Sequence, residues 1–381
     1  MTDKHLFSDA DDALPLAGLR VLDLSQGIAG PYCGLMLRQQ GAQVTKVEPP
    51  QGDWSRHMGR SKDGLSAIFM ACNAGKQGLC LDAATPEGRA QLQRLAAEAD
   101  VVLQNYRPGV AERMGMGWEE LSARKPSLVY VSISGWGRSG PMAHVPTLDT
   151  TMQAASGMMH ANRGEDGKPR RIGVYVVDYA TGMYAAQATL AAVLRQVRTG
   201  RGRHVEVSML QAAAVLQNYL TIDAAMFPQQ QGGAINAPTG LFETRDGRYI
   251  YVSMLNDAMF LRLARALQMD GWIADASLHA SSGRLPRAQE LNDALAARLA
   301  QDTLAHWSEL LARHDILFAP ARSPGELPQD PQVQHLKVFA EHEVPGVGTV
   351  PLAGLPGSEG QLPLAPAPRL GQHNAEMLGG L

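Results

Sequence analysis

The chain has 381 residues, 45% of them hydrophobic and 19% charged, and a formal net charge of −3. That length suits two or three domains with a large core. The near-balanced charge, with no basic tract interleaved with aromatics, argues against a nucleic-acid partner, and the lack of an apolar run of 18 or more residues argues against a membrane span.

Three cysteines, Cys33, Cys72 and Cys80, make neither a CxxC nor an even framework. No metal site or structural disulfide is expected, and a reduced, cytoplasmic setting fits. The opening MTDKHLFSDADDA is polar and acidic and reads as a loose tail rather than a targeting segment.

Leu19–Leu24 predicts a short buried strand. Ser25-Gln26-Gly27-Ile28-Ala29-Gly30-Pro31 turns into a helix that runs to about Gln40, with Gly41 as a stop. Val44–Val47 predicts the next strand, closed by Glu48. This is a parallel βαβ unit. Gly27, Gly30 and Gly34 do not spell GxGxxG, so the dinucleotide fingerprint is absent.

The rhythm continues with a strand at Gly78–Leu81, a Thr85-Pro86-capped helix to Glu98, and a strand at Val101–Leu103 ending at Asn105. Short helices near 110–114 and 118–124 precede a strand at Leu128–Ser132. Strand–helix alternation predicts an α/β fold with an open, Rossmann-like parallel sheet. Ligands in such sheets sit beyond the carboxyl ends of the strands. Gln26, Glu48, Asn105, Ser134-Gly135 and Asp178 are all read as lying at strand ends.

The stretch RIGVYVVDYATGMYAAQATLAAVLRQVRTGRGRHVEVSMLQ (171–211) is the centre of the argument. Ile172–Val177 predicts a strand that delivers Asp178 to the start of a small-residue helix. A carboxylate held near a helix N-terminus is favoured in its ionised form and suits a nucleophile. It equally suits an N-cap. Helix 209–228 then leads away to a Gln/Gly/Pro-rich break at 229–240. A smaller α+β domain follows, with a hairpin about Asp246-Gly247 and helices near 256–268, 286–300 and 303–313. Pro- and Gly-rich segments 319–331 and 344–369 predict long connecting loops.

Asp178 and its helix resemble the family III coenzyme A transferases and their racemase relatives. So do PLAGLRVLDLSQGIAGPYCGLMLRQQGAQVTKVEPPQGD (15–53), NAGKQGLCLDAATPEGR (73–89), VLQNYRPGVAERMGMGWEEL (102–121) and LVYVSISGWGRSGP (128–141), in the family's order. The resemblance implies an interlocked homodimer of two-domain subunits. A large CoA-binding domain would span 1–209 and a small domain 231–319, joined by linkers 210–230 and 320–345, with 346–381 returning to the large domain.

It also implies an acyl-CoA:carboxylate CoA-transferase with Asp178 as nucleophile, acyl-CoA and a small carboxylic acid as substrates, and no tightly bound cofactor. Gln26, Gly27 and Ala29 would face the thioester. Arg38 would lie beside the adenine, Asn73 and Lys76 would meet the nucleotide, and Asn105, Tyr106, Arg107 and Arg113 would line the pantetheine and phosphates. Arg56 fits a family arginine; His57 is expected at the surface. Gly232-Gly233 to Gly240 is the candidate water-excluding loop. The racemases place a base in a Gly-His-Asp turn where this chain has Thr147-Leu148-Asp149, and leucine cannot shuttle a proton. A 2-methylacyl-CoA racemase and a non-catalytic acyl-CoA binder are the alternatives.

Overall fold

A computed structural model of the chain describes residues 14–164, 166–228, 235–357 and 365–379. It forms two compact units. The first runs to Tyr219 and resumes at Lys337; the second is Leu220–Leu336.

In the first unit, β-favouring apolar runs and amphipathic segments alternate. They form β1 (Arg20–Asp23), α1 (Ala29–Gln39), β2 (Gln43–Glu48), the short ladder β3 (Ser61–Lys62) and β4 (Leu65–Ser66), α2 (Ala67–Asn73) and β5 (Gln77–Cys80). Next come α3 (Pro86–Glu98), β6 (Val101–Gln104), α4 (Val110–Arg113), α5 (Trp118–Arg124) and β7 (Val129–Ser134). Then follow α6 (Asp149–Ala155), α7 (Met158–Ala161), α8 (Val176–Thr199), β8 (Arg203–Ser208) and α9 (Met209–Leu216), while α10 (Asn218–Met226) belongs mostly to the second unit.

The six-stranded sheet has the order β5-β2-β1-β6-β7-β8, and every pairing in it is parallel. The order reverses between β1 and β6. The loops after those two strands, at Gln26 and Asn105, therefore flank the crevice where open α/β sheets bind ligands. Successive residues of a strand face opposite sides, so Val21, Leu103 and Val131 join α1 and α8 in one core. Leu22, Val102 and Tyr130 join α3 and α5 in the other. Gly182 lets α8 close on α1, since a Cβ there would lie 2.7 Å from the Ala29 carbonyl oxygen.

Two differences from the sequence reading matter. Ile172–Val177 is not a strand: Ile172–Tyr175 is irregular and α8 begins at Val176, so Asp178 lies in its first turn. The Ile172 N–H goes to Gln153 Oε1 at 2.9 Å instead of a sheet ladder, and α8 is itself the crossover from β7 to β8. The second difference is in 344–369, read as loop, which contributes to a hairpin of β12 (Phe339–Val344) and β13 (Gly348–Ala353). Pro345 and Gly346 make its turn and masked the alternation of its strands. The return segment ends in a short helix, Asn374–Leu378. There His373 Nδ1 accepts the Gly78 amide at 2.9 Å and Asn374 Oδ1 the Cys80 amide at 2.9 Å.

The second unit has an antiparallel sheet, in the order β11 (Leu317–Pro320), β10 (Tyr249–Ser253), β9 (Gly240–Glu243). Ile250 and Val252 face its helices; Tyr249 and Tyr251 face outward and are exposed. The strand Leu317–Pro320 went unread because it ends in the Pro-rich stretch. Gly232 and Gly233 lie outside the described residues.

Candidate active site

Charges inside the sheet build the loop after β1. Lys46 and Lys76 are both fully buried. Lys46 Nζ donates to Asp53 Oδ2 at 2.8 Å and to the Ser25 carbonyl at 2.7 Å. Lys76 Nζ donates to Asp23 Oδ2 at 2.8 Å, to the Pro31 carbonyl at 2.7 Å and to Asn73 Oδ1 at 2.9 Å. Asp53 in turn accepts the Gly27 amide at 3.0 Å. Burial opposes ionisation of Asp23 and Asp53, but the neighbouring ammonium groups outweigh it and hold both carboxyls below the usual range. Gly27 has φ of +83°, and a Cβ there would collide with the Trp54 ring. Glycine is therefore required for the loop to turn against that ring.

The other expected residues divide. Gln26 and Asn105 clasp one another: the Gln26 amide donates to Asn105 Oδ1 at 2.9 Å, and Asn105 Nδ2 donates to the Gln26 carbonyl at 2.7 Å. With Tyr106, Arg107, Ser134, Gly135, Trp136, Leu148 and Thr151 they line a cavity of about 700 Å³. Arg107 and Arg113 are exposed, and their guanidinium groups have no hydrogen-bond or ion-pair partner among the described residues. Ala29 is buried beneath the loop. Arg38 bridges α1 to the turn after α2, its Nε donating to the Gly75 carbonyl at 2.8 Å. Its terminal nitrogens have no partner among the described residues.

Lys76 and Asn73 are different. All three ammonium protons of Lys76 are taken by buried acceptors, and Asn73 is fully buried with its amide on the Phe69 carbonyl. These two side chains organise the loop and present nothing to a nucleotide; the N-x-x-K turn is structural in this conformation. Glu48 and Arg56 likewise pair in the interior, at 2.7 Å through both carboxylate oxygens. His57 is exposed.

Asp178 does not cap its helix. The cap comes from α6: the Asp149 carboxylate, 2% exposed, accepts the Val177 amide at 2.8 Å and the Asp178 amide at 3.0 Å through Oδ2, and Gln153 Nε2 at 2.6 Å through Oδ1. The Asp178 carboxylate has no hydrogen-bond partner among the described residues. Burial first, and the Asp149 charge second, push its pKa up to about 7, where the sequence reading expected a helix N-terminus to favour the ionised form. Asp178 is not among the residues lining the 700 Å³ cavity. It is joined to that wall through α6, which carries both Asp149 and the lining residue Thr151.

Sequence reasoning missed the framework of Asp23, Lys46 and Asp53. Its signal was a lysine in the middle of an apolar strand, Val44-Thr45-Lys46-Val47. Asp149 was met only as part of a turn that lacks a histidine. The cavity is lined by no histidine, His144 is exposed, and His160 is exposed with Nε2 at 2.8 Å from Arg163 Nη1.

A parallel sheet with a polar crevice at its switch point, and an acid at the head of a half-buried helix, is the layout of an α/β enzyme, and comparison gives the family. The profile of CoA-transferase family III matches residues 16–374, and the chain belongs to that family. It is 33% identical to a succinyl-CoA:glutarate CoA-transferase of Mus musculus, over 97% of this chain and 87% of that protein. It is also 33% identical to a succinate–glutarate CoA-transferase of Agrobacterium fabrum, over 96% of each. A CAIB/BAIF family protein from Brucella suis superposes with a TM-score of 0.87 at 30% identity, covering 96% of this chain and 99% of the other. The protein is thus a family III CoA-transferase. No helix among the described residues is long and apolar enough to cross a membrane.

Proposed function

We propose that the protein moves coenzyme A from a dicarboxylic acyl-CoA to a free dicarboxylic acid through covalent intermediates on Asp178. One observation carries the reading: the Asp178 carboxylate has no hydrogen-bond partner among the described residues, while another residue caps its helix. The acid class follows from the succinyl, glutarate, citramalate and malate named in the relatives.

An Asp178 oxygen attacks the thioester carbonyl carbon; the C–S bond breaks, leaving a mixed anhydride and CoA thiolate. The thiolate attacks Cγ of Asp178, expelling the donor acid as its carboxylate and forming an aspartyl-CoA thioester. The acceptor carboxylate attacks Cγ and displaces the thiolate, giving a second anhydride. The thiolate then attacks the acceptor's carbonyl carbon, releasing the new acyl-CoA and the free Asp178 carboxylate. No net proton is moved and the thioester is conserved, which splits one exchange into easier steps.

Gln26 faces the thioester end in this reading, on a loop that buried Gly27 and Ala29 shape, with Asn105, Tyr106 and Arg107 along the pantetheine path. Arg113 offers its guanidinium to the phosphates, and Arg38, whose terminal nitrogens have no partner among the described residues, lies beside the adenine. A racemase reading finds no support at 147–149, where Leu148 stands in place of a proton-shuttling histidine. In the first unit, exposed Val215, Leu216 and Tyr219 support a homodimer that covers them. Incubating the protein with succinyl-CoA and a panel of dicarboxylic and monocarboxylic acids, read by mass spectrometry, tests the function. New dicarboxyl-CoA is expected; hydrolysis alone, or no transfer to any dicarboxylic acid, contradicts it.

A further inference from the structure

We infer that Asp149 is a positioning residue for the nucleophile: its buried carboxylate grips the first turn of α8 by the amide of Asp178 itself and sets a fixed negative charge beside the carboxylate it positions. The inference rests on the reading of Asp178 given above.

The geometry is specific. Capping needs only an acceptor, and Ser, Thr or Asn usually provide it from the preceding residue. Here Tyr175 stands at that position and makes no side-chain cap. An acid 29 residues back in the chain does the work, held by Gln153. Gln153 also donates to the Val174 carbonyl at 3.2 Å and accepts from Ile172, so one glutamine and one aspartate fix the whole approach to α8. Asp149 therefore cannot turn away from Asp178 without releasing the segment before the helix.

The other titratable groups that interact with Asp178 are Cys72 of α2 and Tyr179 of α8. Burial pushes the Cys72 thiol up to about 12 and raises the Tyr179 phenol as well, so both are neutral near pH 7. Tyr179 meets Tyr32 of α1 edge to face, and that phenol is also raised by burial. No cation appears among the influences on Asp178. Among the described residues, Asp149 is the charged group that raises Asp178 beyond the effect of burial. A more basic carboxylate is a better nucleophile toward a thioester, so the like-charge neighbour raises reactivity at the cost of a smaller ionised fraction below pH 7.

The test is the pH dependence of CoA exchange, kcat/KM against pH, in wild type and Asp149→Asn. The wild-type rate should rise with pH through an acid limb near 7. In Asp149→Asn, which keeps an acceptor and removes the charge, the limb should move down by roughly one pH unit. A merely structural role lowers the rate at every pH and leaves the limb in place, which overturns the inference. Asp149→Ser, a neutral cap, is the second variant and should shift the limb the same way. If neither variant folds by circular dichroism, Asp149 is a folding residue and the inference fails. Hydroxylamine trapping on the wild type separates the two claims. An adduct on Asp178 with an unmoved limb removes only Asp149, whereas no adduct removes the nucleophile and this inference with it.

Discussion

Two groups of buried carboxylates lie in the same unit and obey opposite rules. Beneath the Gln26 loop, Asp23 and Asp53 each face a lysine, and both are held ionised well below the usual range. At the head of α8, Asp178 faces Asp149 and, among the described residues, no paired cation, and its pKa is pushed up to about 7. Burial is common to both, so the partner decides the outcome. Paired charges fix a loop. A carboxylate denied a partner is held at high free energy, as a group kept for reaction must be. The contrast also explains why Lys76, expected to meet a nucleotide, is structural: an ammonium with three buried acceptors has nothing left to offer a ligand.

The contrast can be broken from either side. Asp178→Ala should lower exchange by on the order of 10⁴-fold or more while CoA binding, followed by calorimetry, stays near wild type. Retained turnover would remove the distinction altogether. Lys46→Ala strands Asp53 in the interior and should cost about 3–5 kcal/mol in urea unfolding. A cost under about 1 kcal/mol would show that the paired group is not what orders the loop.

Asp178→Asn should do the reverse and stabilise. The folded-state pKa of Asp178 is raised, so its protonated form is favoured on folding. That favourable contribution is complete below about pH 3.8 and is lost as pH rises through about 7. The variant should match wild type near pH 4 and exceed it by roughly 1–3 kcal/mol at pH 8. Equal stabilities at both pH values would contradict the raised pKa. The smallest effect belongs to Arg38→Ala, which should weaken CoA binding about tenfold. Because this cation is half-exposed, stability should change by less than about 1 kcal/mol. Unchanged CoA affinity would take Arg38 out of the site.

Much of the parallel sheet was legible because its signals are local. Thr85 before Pro86 caps α3, with the Gly88 amide at 3.0 Å from its hydroxyl, and the apolar runs of β1, β2, β6 and β7 are flanked by turn residues. The hairpin of β12 and β13 was not, since Pro345, Gly346 and Gly348 read as loop and only pairing reveals the alternation. At the candidate site, Gln26, Asn105, Tyr106 and Arg107 do meet at one cavity, as strand-end positions should. The start of α8 was misread because Ile172–Val177 has a strand's composition, and its backbone is claimed instead by Gln153 and Asp149, far back in the chain. A long-range cap leaves no local trace. The same is true of Lys46, whose need for Asp53 is visible only once the sheet is assembled.

One measurement goes straight to the claim that an unpartnered carboxylate is the reacting group. Trypsin releases Ile172–Arg195, in which Asp178 is the sole acidic side chain. After turnover with succinyl-CoA and quenching with hydroxylamine, that peptide should carry a hydroxamate in place of the Asp178 carboxylate, and the Asp178→Ala protein should carry none. An unmodified wild-type peptide, recovered while exchange is proceeding, would contradict the account.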